Sequence, residues 1–167
     1  MALVALFLLI SLGLSWCCTP EPGAINIARQ GYPYQSSYYS DRYWATKAID
    51  GNQDLNFTHG SCMQTNPQYV PWWWVDLKQK YAVNYVVVSG RSDCPECLIQ
   101  LQCAEIRIGP NSDNNNPICD VITDTSVPTT SYCCNGTVGK FVSIVIPKRI
   151  DTLTLCEVEV YGDLVTP

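Results

Sequence analysis

Four segments of the chain carry the apolar or alternating pattern of β-strands: residues 73–77, 83–89, 141–146 and 153–161, with 104–108 as a shorter fifth candidate. Clusters of Gly, Pro, Asn and Ser separate these segments, as is typical of turns. No stretch shows a sustained apolar repeat with the 3.6-residue period of a helix. The pattern therefore predicts little helix and an all-β fold, either a sandwich or a barrel.

The beginning of the chain has a different pattern. The first eighteen residues carry no charge, and residues 3–14 are almost wholly apolar. This run is shorter than a membrane span, which needs about 20 residues, and the small residues Gly13 and Ser15 lie near its end, close to a plausible cleavage point of a secretory signal peptide. No Lys or Arg precedes the run, so an uncleaved anchor or a buried strand is the alternative.

We predict a signal peptide at 1–18 with its cleavage point open, a linker at 19–23, a folded domain at 24–162 and a C-terminal tail at 163–167. The mature protein is then secreted and extracellular, with no transmembrane segment after processing.

Composition narrows the function to binding. A net charge of −5 argues against a nucleic-acid partner, which requires a basic face. A single histidine excludes most Ser-His-Asp and Cys-His catalytic sites and multi-histidine zinc sites. The carboxylates show no spacing that specifies a glycosidase pair. We therefore expect a binding domain with no catalytic residues, not an enzyme.

Ten cysteines in a short secreted chain predict a disulfide framework. Cys94-Pro95-Glu96-Cys97 also has the spacing of a redox motif, but it lacks the βαβ context of such motifs, and we interpret it as a structural bridge. The sequons Asn56-Phe57-Thr58 and Asn135-Gly136-Thr137 predict N-glycosylation at Asn56 and Asn135.

The segment 50–56 is an acidic, amide-rich loop. Clustered Asp and Asn oxygens are hard ligands that suit calcium, and a Gly permits the sharp bend. The alternative is a turn whose side chains bond their own backbone. The spacing is not that of an EF-hand, and by itself it favours the turn.

The order of short motifs along the chain resembles that of the F-type lectin, or fucolectin, family. The resemblance covers nearly the whole chain after the leader and rests on these runs: Ala48-Ile49-Asp50-Gly51-Asn52, Trp72-Trp73-Trp74-Val75-Asp76-Leu77, Arg91-Ser92-Asp93-Cys94 and Leu155-Cys156-Glu157-Val158-Glu159-Val160. It implies an eight-stranded jelly-roll β-sandwich of the discoidin type.

The resemblance also implies one structural calcium ion, which pins the loop and makes us favour calcium over a bare turn. The implied ligands are the backbone oxygen of Lys47, the side chains of Asp50, Asn52, Ser61 and Glu157, and the backbone of Cys62. Two disulfides are implied, Cys62 with Cys156 and Cys119 with Cys134. Cys103 and Cys133 are then left over, and they could pair with each other.

The fucose site of the family contains a histidine, a first arginine followed by a Cys-Cys pair, and a second arginine. Arg91 stands at the first arginine position. Gln64 stands at the histidine position, because 26 residues separate it from Arg91, whereas 31 residues separate His59 from Arg91. Cys94 and Cys97 replace the vicinal pair. Gln100 stands at the second arginine position, with an alignment uncertain by a residue or two.

Tyr39 and Phe57 fall where the family encloses the methyl group of fucose, although they could instead pack beneath the calcium loop. Glycosylation at Asn56 would crowd a sugar site there. Two cationic donors of the family site are replaced by neutral glutamines, so we expect fucose binding to be weakened, absent or redirected to another glycan.

Two functions follow. The first is a secreted, calcium-stabilised carbohydrate-binding protein, with fucosylated glycans among its candidate partners and a homo-oligomer as a way to raise avidity. The second is a protein- or membrane-surface interaction module that retains the lectin scaffold without its sugar site.

Overall fold

Ten strands carry the fold in the computed structural model, which describes residues 18–166. They are β1 (Tyr32–Gln35), β2 (Met63–Gln64), β3 (Gln68–Tyr69), β4 (Trp72–Ser89), β5 (Glu105–Gly109), β6 (Ile118–Val121), β7 (Thr129–Val145), β8 (Ile150–Asp151), β9 (Thr154–Leu155) and β10 (Glu157–Leu164). One short helix, α1 (Pro95–Leu98), and four 3-10 turns connect them: Ile27–Gln30, Ala45–Ile49, Phe57–His59 and Ile99–Leu101.

The long strands β4 and β7 form an antiparallel ribbon on which the remaining strands assemble. The sheet has the order β1-β4-β7-β5-β6, and β10 pairs with β4 as well. The first half of β4 pairs with β1 and the second half with β10. A register shift between Asp76 and Tyr81 separates the halves, and Lys78 lies there with φ 70. The ribbon thus joins two parts of the sheet, and the pairs β2–β9 and β3–β8 complete the fold beside it.

The start of β4 shows how the sequence pattern builds the core. Trp73 and Val75 are fully buried, whereas Trp72 and Trp74 alternate with them on the outer face, as expected for a strand with one face in the core. The indole N–H of Trp73 donates to the carbonyl of Ala45 at 3.1 Å, which satisfies a buried polar group. This contact fixes the turn Ala45–Ile49, from which the acidic loop 50–56 departs.

The all-β prediction is confirmed, and helices are few and short. The structure differs from the predicted strands mainly in continuity. Segments 73–77 and 83–89 are two halves of the single strand β4. The strand β7 extends back to Thr129 beyond the predicted segment 141–146, because the turn-like Asn135-Gly136 forms a bulge, with φ values of 50 and 74, and does not end the strand. The described residues form ten strands where the resemblance implied eight, and four of the ten, β2, β3, β8 and β9, are only two residues long.

Four disulfides lie within residues 18–166: Cys18–Cys133, Cys62–Cys156, Cys94–Cys97 and Cys119–Cys134. The pairing of Cys103 with Cys133, which the sequence left open, does not occur. Cys134 is buried and bonds Cys119, whereas Cys133, its neighbour on the strand, faces the other way and meets Cys18. Cys103 is exposed and has no disulfide partner in this part of the chain.

Residues 1–17 of the predicted signal peptide, including Cys17, lie outside the described residues, and Cys18 lies within them. Within residues 18–166, no helix is long and apolar enough to cross a membrane.

Candidate functional site

A ladder of side-chain hydrogen bonds shapes the acidic loop. The backbone N–H of Asn52 donates to Asp50 Oδ1 at 2.9 Å, that of Asp54 to Asn52 Oδ1 at 3.1 Å, that of Asn56 to Asp54 Oδ1 at 2.9 Å, and that of Thr58 to Asn56 Oδ1 at 3.0 Å. These are successive turns of the kind that Asp and Asn form with the residue two positions on. The turn interpretation is therefore realised, and it leaves Asp50 Oδ2 free of hydrogen bonds within the described residues.

His59, the single histidine, belongs to this loop. Its Nδ1 lies 2.7 Å from Asp54 Oδ2, and its side chain is largely exposed. The pKa of the Asp54 carboxyl is held below its usual value, first by the hydrogen bond from the backbone N–H of Asn56 and second by the hydrogen bond with His59. His59 thus supports the loop and leaves the histidine position of the family motif to Gln64.

Glu157 is a buried carboxylate beneath the loop, only 1% exposed. Its two oxygens both accept the backbone N–H of Gly51, at 3.2 Å each. Burial raises the pKa of Glu157 to about 7; the Gly51 N–H opposes this shift, and the charges of Asp50 and Glu159 reinforce it. No side-chain cation bonds Glu157 within residues 18–166. A buried carboxylate in this state is stable only if it is protonated or receives a positive charge.

Gly51 occupies a position that requires glycine. Its φ of 77 is left-handed, and a Cβ built there would lie 2.6 Å from the guanidinium carbon of Arg29. The same guanidinium donates from Nη2 to the carbonyl of Asp50 at 3.1 Å. Arg29 therefore packs against the loop and holds the Gly51 N–H where Glu157 can accept it.

The six expected calcium ligands lie on segments that meet here. Lys47 lies in the turn Ala45–Ile49, Asp50 and Asn52 follow that turn, and the Cys62–Cys156 disulfide brings Ser61 beside Glu157. Their donor groups are carboxylate, amide, hydroxyl and backbone oxygens, which suit calcium. No three His, Cys, Asp or Glu side chains converge on a metal position in the described part of the chain. A divalent ion would therefore depend on amide and backbone oxygens beside Asp50 and Glu157, and it would supply the charge that Glu157 lacks.

An aromatic patch stands next to this loop. The Arg91 guanidinium lies 4.3 Å above the centroid of Phe57, and Phe57 stacks on Tyr43 with centroids 4.5 Å apart and planes inclined by 7°. The ring centroids of Tyr39 and Tyr43 are 5.7 Å apart. The structure thus brings together three predicted residues, Arg91, Phe57 and Tyr39. Tyr43, which the sequence analysis did not select, joins them.

Asp93 fixes the geometry of Arg91. Its carboxylate accepts Nε of Arg91 at 3.1 Å and Nη2 at 2.5 Å, together with the backbone N–H of Phe57 at 3.0 Å. The hydrogen bonds from Arg91 hold the pKa of Asp93 below its usual value. Arg91 is consequently a rigid cation, and its Nη1 donates to no described residue.

Gln64 is joined to the same patch through its backbone. Its carbonyl accepts the N–H of Tyr39 at 3.1 Å, and its own N–H donates to the carbonyl of Tyr43 at 3.3 Å. The side chain is 8% exposed, and its Nε2 donates to Thr154 Oγ1 at 2.9 Å. The amide nitrogen is therefore engaged inside the fold, and Oε1 accepts no hydrogen bond from the described residues.

Gln100 lies with a different arginine. Its carbonyl accepts Nη2 of Arg149 at 2.6 Å, and Nε of Arg149 donates to Asp151 at 2.7 Å. These residues line a cleft of about 310 Å³ together with Glu96, Ile99, Gln102 and Cys103. Arg149 is a second arginine that sequence reasoning missed. The available signal was that Arg149-x-Asp151 repeats the pattern of Arg91-x-Asp93.

The Cys94–Cys97 disulfide closes the first turn of α1, directly after Arg91 and Asp93 in the chain. Cys94 caps the helix and Pro95 occupies its first position, where a missing N–H has no cost. The bridge therefore continues the segment that presents Arg91.

Comparison with known proteins places the chain among sugar-binding relatives. Residues 47–144 match the sequence family described as "NedA-like, galactose-binding domain". The chain is 39% identical over 147 residues to the fucolectin of Anguilla anguilla, covering 83% of this chain and 91% of that protein. It is 41% identical over 145 residues to the pentraxin fusion protein of Xenopus laevis, covering 84% of this chain but only 34% of that protein.

Among solved structures, the fucolectin from the serum of the striped bass Morone saxatilis superposes with a TM-score of 0.77 at 44% identity, over 85% of this chain and 48% of that one. The chain thus spans about a third of the Xenopus relative and about half of the bass structure. The shared part is the β-sandwich that carries the loops described above.

Proposed function

Because the chain belongs to the fucolectin family of F-type lectins, we propose that it is a secreted, calcium-stabilised carbohydrate-binding protein whose sugar site departs from the family motif. The observation that carries the proposal is the patch of Tyr39, Tyr43, Phe57 and Arg91, with Asp93 holding the arginine in place. An aromatic surface beside a fixed cationic donor suits the two chemical faces of a pyranose ring.

The residues of the patch have distinct roles in this proposal. Tyr39, an exposed ring, presents a face to the C–H groups of a sugar. Phe57 is covered on its two faces by Arg91 and Tyr43, and it contributes its edge and holds Arg91 in place. Arg91 donates from its unused Nη1 to a sugar hydroxyl, and a charged donor forms a stronger hydrogen bond than a neutral one. Gln64 adjoins the patch through its backbone, and its Oε1 remains an acceptor without a hydrogen bond from the described residues.

The expected sugar specificity differs from that of the family. Gln64 is neutral and its Nε2 is bonded to Thr154, while Gln100 bonds Arg149 through its backbone. One charge-assisted donor of the family motif, Arg91, is therefore retained. We expect weaker fucose binding or a preference for another glycan.

Secretion is supported by the bonding of Cys18. Disulfides form in oxidising compartments, and Cys18 bonds Cys133 on β7, which favours cleavage of the leader before Cys18. Asn135 is exposed on the bulge of β7 and suits N-glycosylation. Asn56 is half-buried and adjoins Phe57, so a glycan there would crowd the patch.

A glycan array read with and without calcium tests the proposal. We expect calcium-dependent binding to at least one glycan, at low affinity for isolated sites and higher avidity for clustered ones. A protein that is folded by circular dichroism and binds no glycan under either condition would contradict the proposal. Free fucose, galactose and N-acetylgalactosamine serve as competitors.

The second candidate function, a surface-interaction module without sugar binding, is favoured by the engaged side chain of Gln64. The variant Gln64→His separates the two functions. If the patch is the sugar site, a histidine here is expected to raise the affinity for L-fucose about tenfold, because it adds a ring N–H donor. Calorimetric titration measures the change, and Gln102→His, an exposed position in the cleft near Arg149, is the control. Unchanged affinity would favour the interaction module.

Calcium and pH should act on stability through Glu157. The pKa of Glu157 in the folded protein is about 7, above the usual 4.5 that it takes on unfolding, so the folded state favours the protonated form. In a chelator, the contribution of Glu157 to the free energy of unfolding is therefore expected to be full below about pH 4.5 and to be lost as the pH rises through about 7, by about 1.4 kcal/mol per unit of pKa difference.

With millimolar calcium the trend should reverse, because the ion binds the ionised carboxylate and stabilises the folded state. Urea unfolding at several pH values, with chelator or with calcium, measures both effects. Glu157→Gln should abolish the fall in stability between about pH 4.5 and 7 and the response to calcium together. Identical unfolding curves with and without calcium would exclude the six-ligand site.

A further inference from the structure

A second aromatic surface lies on the outer face of the sheet, away from the patch around Arg91. Trp72 and Trp74 point outward from β4 with centroids 6.2 Å apart and planes inclined by 12°. Tyr34 on β1 contacts Trp74 at 4.3 Å, and Phe141 on β7 meets Trp74 edge-on at 5.4 Å. Four rings from three adjacent strands thus form one continuous row.

This row ends in a cleft of about 430 Å³. Trp72 forms one wall with Tyr69, which is 66% exposed. The polar wall comes from β5, the turn 113–115 and Lys148. The volume is in the range of small-molecule sites, and the cleft shares no lining residue with the patch around Arg91 or with the acidic loop.

Two acceptors in the cleft are unused. Arg107 donates from Nε and Nη2 to Glu105 Oε2 at 2.8 and 2.6 Å, and from Nη1 to the carbonyl of Asn116 at 2.6 Å. Arg107 thereby fixes Glu105, whose Oε1 accepts nothing from the described residues. Asn114 Oδ1 is buried and has no hydrogen-bond partner within residues 18–166. A buried acceptor without a donor is unfavourable, so a bound group that donates there would stabilise the cleft.

The charges of the cleft indicate what it takes. Glu105 and Asp113 are balanced by Arg107 and Lys148, so the cleft favours neither an anion nor a cation. Exposed ring faces suit C–H groups, and the two free acceptors suit hydroxyl donors. A neutral pyranose matches these three properties, because it has apolar ring faces, several hydroxyl donors and no charge.

We propose that this cleft, lined by Tyr69, Trp72, Glu105 and Asn114, is a second saccharide-binding site for a neutral pyranose of a glycan. It acts independently of Arg91. One molecule would then present two sugar sites on different faces, and it could bridge two glycan chains without forming an oligomer.

An array of neutral and sialylated oligosaccharides, probed with Arg91→Ala as the parent variant, tests the second site. We expect the parent to retain binding to at least one neutral glycan. Adding Tyr69→Ala or Asn114→Gly should each weaken that binding about tenfold. Glycine suits position 114 because Asn114 has a φ of 62, so the variant removes the amide without straining the turn.

Tyr32→Ala is the matched control, because Tyr32 is a similarly exposed tyrosine (58%) on β1, outside the cleft. Added to the parent, it should leave binding unchanged. All variants are first checked for an unaltered melting temperature. Absence of any glycan binding by the Arg91→Ala parent, or residual binding unaffected by Tyr69→Ala and Asn114→Gly, would overturn the proposal.

Discussion

Replacing Cys62 and Cys156 together by alanine is expected to lower the free energy of unfolding by about 4 to 5 kcal/mol. The two residues are 94 positions apart and fully buried. On the loop-entropy account, a cross-link that closes a loop of this length restricts the unfolded chain far more than a short one does. Urea unfolding of the wild-type and double-alanine proteins measures the difference.

The Cys94–Cys97 bridge is the matched control, since its residues are only three positions apart. The same account gives about 2 kcal/mol for its removal. The long bridge also holds together the segments that carry Ser61 and Glu157. Its loss should therefore remove the response to calcium, whereas loss of the short bridge should not. Equal destabilisation by both double variants would show that the β2–β9 pair, and not the disulfide, holds these segments together.

Arg91→Ala is expected to weaken glycan binding at the aromatic patch by about 10- to 100-fold. A hydrogen bond to a charged group contributes about 1.5 to 3 kcal/mol, and Arg91 is the charged donor in contact with Phe57. Calorimetric titration with the strongest ligand from the array that is sensitive to the patch measures the loss.

Arg91→Lys should give an intermediate loss, because an ammonium keeps the charge but cannot bond Asp93 through two nitrogens or lie flat on Phe57. Arg42→Ala controls for charge alone, since Arg42 is an exposed arginine next to Tyr43. A loss in Arg42→Ala as large as in Arg91→Ala would indicate long-range electrostatic attraction in place of a defined contact.

The predictable part of the fold is the part that the side-chain period controls. Outward Trp72 and Trp74 alternating with buried Trp73 and Val75 mark a strand without further information. The first half of β7 escaped prediction because Asn135-Gly136 forms a turn in most contexts, and only pairing with β4 converts it to a bulge.

The candidate site shows the same division. The resemblance selected Arg91, Phe57 and Tyr39, which the structure brings into one patch. It did not select Tyr43, because the stacking of Tyr43 on Phe57 arises only when two distant loops meet. Arg149 was missed for a similar reason: it approaches Gln100 across 49 positions of the chain. The bond between Cys18 and Cys133 depends on which face of β7 each cysteine occupies.

The ladder of hydrogen bonds in the acidic loop has a thermodynamic consequence for ion binding. Asp50, Asn52 and Asp54 already fix the backbone of this loop through their own side chains. Fixing the backbone of one residue costs about 1 to 2 kcal/mol of conformational entropy, and here folding has already met that cost. An arriving cation therefore spends little of its binding energy on ordering the loop. If the proposed calcium site exists, changing Asp54 should lower its affinity for calcium, although Asp54 is not among the six proposed ligands.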